Sequence, residues 1–331
     1  MKRFGLAVVV GIATLASTGL AQQAPAAGPY KLLKTVIAGG PGAFDYVYAD
    51  VDGRRLYIPR RDPATPQVTV FNLDTLASVG VILKASARGV AVDPKSGHGF
   101  ASSKPVVMWD TKTLATIKTI DVQGGPDGIL FDPFNARVYI LSHSAPNATV
   151  INAADGTVVG TIDLGGQPEQ AVTDGKGHLY IDLENKDQIA VVDAKTMTVT
   201  AHWDLSSKGK APAGLAFDVK NHVLFAACAD PTGTFVILSS DDGKILTSLP
   251  TGAGTDGAVF NPATMEAFSS NRDGTLTVVK ENSPTSFVVE QNVQTKTGAK
   301  TLTLDTKTNQ IFLITGDRPL GDSFSILVVG K

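Results

Sequence analysis

A single cysteine, Cys228, in 331 residues excludes an intramolecular disulfide and any Cys-x-x-Cys-His haem attachment. The five histidines, His98, His143, His178, His202 and His222, fall at spacings that make no zinc motif, and only His143 is expected on the face where a ligand would bind. No Gly-x-Ser-x-Gly elbow marks a serine nucleophile. Charge is sparse as well. Without Lys2 and Arg3 the chain carries 27 basic against 31 acidic side chains, a balance of −4 that is too weak to draw nucleic acid or an anionic membrane. Apolar runs long enough to span a bilayer are missing, since that takes about 20 residues and the one candidate breaks at Ser17, Thr18 and Gly19. Stability must therefore come from packing.

The broken run has a different reading. Lys2 and Arg3 give a basic start, Leu6 to Leu15 is mostly apolar, and Gly19-Leu20-Ala21 offers small residues for cleavage, the pattern of a secretory signal peptide over 1–21. Residues 22–30, rich in Gln, Ala and Pro, read as a flexible leader, and the expected location is the periplasm or the medium.

What the remainder has in abundance is repetition. Asp50, Asp93, Asp132, Asp174, Asp218, Asn261 and Asp305 each end an apolar run at a tight turn, spaced 43, 39, 42, 44, 43 and 44 residues apart. Tyr57, Phe100, Tyr139, Phe225, Phe268 and Phe312 follow their anchors by seven residues and Tyr180 by six. A period of about 40 to 45 residues built of short strands is that of a β-propeller blade. Hairpin signals such as Asp155-Gly156 and turn signals such as Asp132-Pro133 divide each copy into four antiparallel strands, with the aromatic packing between blades. The seventh copy stops at Lys331 without an outer strand, and Lys31 to Ile37 resembles one. The fold predicted is all-β: one seven-bladed propeller over 31–331, its last blade closed by the N-terminal strand and its sheet edges thereby removed.

FSSN at 268–271, YIPR at 57–60 and YILS at 139–142, with AFDYVYAD, PDGILFDP, PEQAVTDGKGHLYI and SSNRDGTLTVV, resemble the YVTN-repeat or YncE-like family of exported bacterial seven-bladed propellers. The resemblance implies fold and export. It brings no catalytic residues.

Ligands of propellers usually meet the mouth of the central channel. Five residues before each anchor, where the chain enters the inner strand, stand Asp45, Arg88, Asp127, Glu169, Ala213, Asp256 and Lys300. The next position holds Tyr46, Gly89, Gly128, Gln170, Gly214, Gly257 and Thr301. Asp45, Tyr46, Arg88, Asp127, Glu169, Gln170, Asp256 and Lys300 are thus the candidate ligand-binding residues. Lys300, Asp45, Arg88 and Asp127 alternate in sign and can form structural ion pairs, whereas Glu169 and Asp256 flank Ala213 with no basic neighbour, leaving a ring of net −2. A divalent cation such as calcium, or a cationic ligand group, would satisfy them. The mouth-side loops vary in length, Arg60 to Gln67 and Gly316 to Asp322 being long and Ser102 to Pro105 short, as suits a surface shaped for one partner.

The reading that follows is a noncatalytic binding or scaffold propeller, with an unknown small molecule or protein as ligand at the mouth and a monomer as the expected state. The alternative resembles propeller lactone hydrolases, with a divalent metal on Asp127, Glu169 and Asp256. Single-stranded nucleic-acid binding is disfavoured because the repeat aromatics belong to the core, Trp109 and Trp203 lie away from the mouth, and the Arg54-Arg55 and Arg60-Arg61 pairs lie on opposite faces.

Overall fold

A computed structural model describes Met1 and residues 28–40, 42–145, 147–229, 232–316 and 324–331. The signal segment and most of the leader lie outside the described residues, as does the loop read at 316–322 apart from Gly316. Seven four-stranded antiparallel sheets form the blades of a β-propeller. Six are consecutive meanders, such as β10 (Pro126–Asp132), β11 (Arg137–Ser142), β12 (Ala148–Asn152) and β13 (Val158–Ile162). The seventh joins β26 (Leu302–Asp305), β27 (Gln310–Thr315) and β28 (Ser325–Gly330) to β1 (Lys31–Ile37), with Lys31 opposite Gly330 and Ile37 opposite Ser325. Among the described residues, no helix is long and apolar enough to cross a membrane.

The anchor residues act through their side chains. In each of the seven copies the Asp or Asn oxygen accepts a backbone N–H two or three residues on, at 2.7 to 3.2 Å, the hydrogen bond of an Asx turn. The turn then passes through the left-handed region at Arg54, Gly97, Ala136, Gly177, His222, Met265 and Asn309. This fixes the first hairpin of every blade and aligns the strand behind it.

Alternation along that second strand decides the packing. The aromatic faces the next blade, and seven apolar clusters fill the seven interfaces: Tyr57 with Val90 and Trp109, Phe100 with Val138, Tyr139 with Leu179, Tyr180 with Leu215, Phe225 with Ala267, Phe268 with Ile311, and Phe312 with Leu56. Cys228 ends β19 (Val223–Cys228) as a buried core thiol. Tyr30, placed by sequence in the leader, is buried edge-on against Phe268, and its backbone N–H and C=O are both held by the Gln291 side-chain amide.

Small residues line the axis because the inner strands converge there. A Cβ at Gly214 would stand 2.7 Å from the Gly257 carbonyl carbon. Gln170 is drawn into the same wall: its Oε1 accepts from Leu215 and Ala258 N–H, and its Nε2 donates to the Ala258 carbonyl, so its amide ties blade four to blades five and six.

Candidate ligand site at the channel mouth

Loops entering the inner strands carry the predicted ionisable ring to the mouth, and the side chains join into one chain of contacts. Lys300 Nζ lies 2.7 Å from Asp45 Oδ1, Arg88 donates to Asp45 Oδ2 at 2.8 Å, and Arg88 Nε lies 3.5 Å from Asp127 Oδ2. The alternating ion pairs expected from sequence are present. Asp256 departs from expectation. Far from lacking a basic neighbour, it contacts Lys300 and accepts from Arg272 at 3.0 Å.

The additional partners come from a second ring of loop residues. The residue just past each second strand, nine to eleven positions after the anchor, is Arg61, Ser102, His143, Glu184, Ala229, Arg272 and Gly316. In three blades this residue meets the carboxylate of its own blade: Arg61 with Asp45 at 3.7 Å, His143 with Asp127 at 3.3 Å, and Arg272 with Asp256 at 3.0 Å. Arg61 and Arg272 supply the two positive charges that the first ring lacks, so the net −2 expected of the mouth is corrected to a segregation of charge. Blade four is the exception, because the residue at this position is Glu184, which supplies no cation. Blade five contributes only Ala213 and Ala229.

One half of the mouth is a cavity of about 720 Å³ lined by Phe44, Asp45, Arg61, Arg88, Arg272 and Lys300, among others. The other half holds Asp127, His143 and Glu169, whose donor atoms lie within 4.8 Å of one another. His143 Nε2 is 2.8 Å from Glu169 Oε1, and Tyr46 donates its hydroxyl to Glu169 Oε2 at 2.7 Å, reaching across from blade one. The expectation that the histidines assemble into nothing is therefore corrected at His143.

No protein-family model and no curated protein matches the sequence. Among solved structures the chain is similar to that described as "Structure of U3-55K", at 11% identity and a TM-score of 0.71 over 92% of this chain and 99% of the other. It is also similar to "Crystal structure of RRP9 WD40 repeats", at 11% identity and a TM-score of 0.72 over 93% and 99%. At that identity the likeness is one of fold, a propeller built of repeats.

Electrostatics separate the two halves further. Burial acts to raise the Asp45 carboxyl, but Lys300, Arg88 and Arg61 outweigh it and hold the pKa below the usual range. Asp127 has the opposite balance: burial first and the Glu169 charge second push it up to about 7. Burial followed by Glu169 also raises Glu184, and raises Asp182 well above an ordinary carboxyl. Asp182 is fully buried in β15 (His178–Leu183), and both its oxygens lack a partner. Close contact with Glu169 raises the His143 pKa.

Asp45, Tyr46, Arg88, Asp127, Glu169, Asp256 and Lys300 are thus brought together, whereas the Gln170 amide is taken up by the channel wall. Sequence reasoning missed Arg61, His143, Asp182, Glu184 and Arg272 as site residues. Four of these five lie at one repeat position, so counting forward from the anchors as well as backward would have found them. Asp182 carries no such signal.

Proposed function

We propose that the protein is a noncatalytic binding propeller whose ligand is an anion seated at the channel mouth, on Arg61, Arg88, Arg272 and Lys300. The observation that carries this reading is the composition of the mouth cavity. Four cations from four blades line one space, where Asp45 is the only carboxylate among the described lining residues, while Asp256 and Asp127 pair with these cations from outside it. An organic carboxylate or phosphate fits such a lining, since guanidinium groups bind planar anions through paired hydrogen bonds. A cavity of about 720 Å³ suits a small molecule.

The basic signal-like start and the YncE-like sequence phrases support export and placement in that exported propeller family. Thermal-shift titration with a tricarboxylate such as citrate tests the reading. Citrate should raise the melting temperature of the native protein, and Arg61→Ala with Arg272→Ala should weaken its binding by about 100-fold, given about 1.5 kcal/mol for each charge-assisted hydrogen bond lost. Equal affinity in that double variant would refute the assignment.

A further inference from the structure

The acidic half of the mouth has a chemistry of its own. Asp127 Oδ2, His143 Nε2 and Glu169 Oε1 face one another across separations of 3.3 Å (Asp127 to His143) and 2.8 Å (His143 to Glu169). At metal–ligand distances of about 2.1 Å, neighbouring donors of a tetrahedral ion stand roughly 3.4 Å apart, so these atoms need to spread little to enclose one. His143 Nε2 is buried and lies between the two carboxylates, nearer to Glu169. Tyr46 fixes the other oxygen of Glu169, which leaves Oε1 toward the imidazole. A donor that holds the far oxygen of a carboxylate is what orients metal ligands.

A second observation points the same way. Asp182 lies on the strand paired with that of Glu169, where Leu183 stands opposite Pro168, and it is fully buried with two unpartnered carboxyl oxygens. With Glu169 and Glu184 it gives blade four three carboxyls, and the charge of Glu169 acts on both of the others, although Asp182 shares the strand face of Tyr180 that is turned to blade five. Burying so many acids together is costly unless positive charge is supplied.

We propose that Asp127, His143 and Glu169 bind a divalent first-row transition metal of the zinc type at the channel mouth, leaving a coordination position for water or a ligand donor. Two carboxylates and a neutral imidazole balance the charge of a divalent ion, and the nitrogen donor selects zinc, manganese or iron over calcium, which takes oxygen ligands. This set replaces Asp256 with His143 relative to the arrangement expected from sequence, because Asp256 is held by Lys300 and Arg272. The site lies in the other half of the mouth from the anion cavity and does not rest on that reading.

Calorimetric titration of the chelator-treated full chain with Zn²⁺, Mn²⁺ and Ca²⁺ tests it. One equivalent of Zn²⁺ should bind and raise the melting temperature, Ca²⁺ should bind at least tenfold more weakly, and His143→Ala and Glu169→Gln should each reduce Zn²⁺ affinity at least tenfold. His178→Ala with His222→Ala, on the opposite face, should leave it unchanged. Circular dichroism of each variant confirms that a loss of binding is not a loss of fold, and His143→Gln provides a second variant should His143→Ala fail to fold. Absence of saturable Zn²⁺ binding, binding undiminished in folded His143 variants, or a preference for Ca²⁺ would overturn the proposal.

Discussion

Individual side chains set the geometry twice over, once at the anchors and once at the turns they create. Ala136 sits four residues beyond Asp132 at φ 52°, a left-handed conformation that costs a residue with a Cβ about 1 kcal/mol. Ala136→Gly should therefore stabilise the protein by about 0.5 kcal/mol after glycine's greater unfolded-state entropy is subtracted, which urea denaturation can measure. A lower midpoint in that variant would mean that the turn is not strained. Glu281 offers a pH-dependent counterpart. It is buried, with Oε1 accepting from Asn221 at 2.7 Å and Oε2 unpartnered, and burial, opposed by Asn221 and reinforced by Asp218, pushes it up to about 7. The folded state holds a proton that the unfolded chain releases near 4.5, so this group's contribution to stability falls as pH rises from about 4.5 to 7. Glu281→Gln should flatten that fall and raise the melting temperature at pH 8; a steeper fall in the variant would contradict the assignment.

Strands and hairpins follow from a register that is plain in the sequence. The anchors and the aromatics behind them recur because each blade repeats one solution to the same packing problem, and the expected strand 31–37 is the observed β1, Lys31–Ile37. Most of β1 is exposed, so it contributes mainly the backbone hydrogen bonds that cover β28. Arg54 of blade one adds a bidentate pair to Asp305 of blade seven, at 2.9 and 2.7 Å. Deleting residues 30–38 should open the ring and lower the unfolding midpoint sharply, and Arg54→Ala should cost about 3 kcal/mol by leaving the Asp305 carboxylate buried without its cation. Chemical denaturation of both variants measures this, and midpoints equal to the parent's would show that closure lies elsewhere. The mouth was less legible than the fold. Its first ring could be counted from the anchors, but the pairing of Asp256 could not, because Arg272 and Lys300 come from loops whose approach depends on how adjacent blades are set. Asp182 was hidden for a different reason: its strand alternation reads as core, and nothing local marks a carboxyl there as unpartnered.

At the scale of the whole molecule, two rings of loop residues from seven blades meet at one opening and sort themselves by charge. Arg61, Arg88, Arg272 and Lys300 stand on one side, while Asp127, Glu169, Glu184 and His143 stand on the other. Arg88 links the halves, lining the cavity and lying 3.5 Å from Asp127. A propeller suits this arrangement because residues far apart in sequence, such as Asp45 and Lys300, become neighbours without either leaving a rigid strand entrance. Recognition can then be built from single positions in separate blades, with the fold unaffected by their identity. The central claim is that the mouth is divided, with an anion seat among the four cations. Anomalous diffraction from crystals of the protein grown in bromide tests it most directly: a bromide peak among Arg61, Arg88, Arg272 and Lys300 is the predicted result, and bromide found only elsewhere on the surface would contradict it.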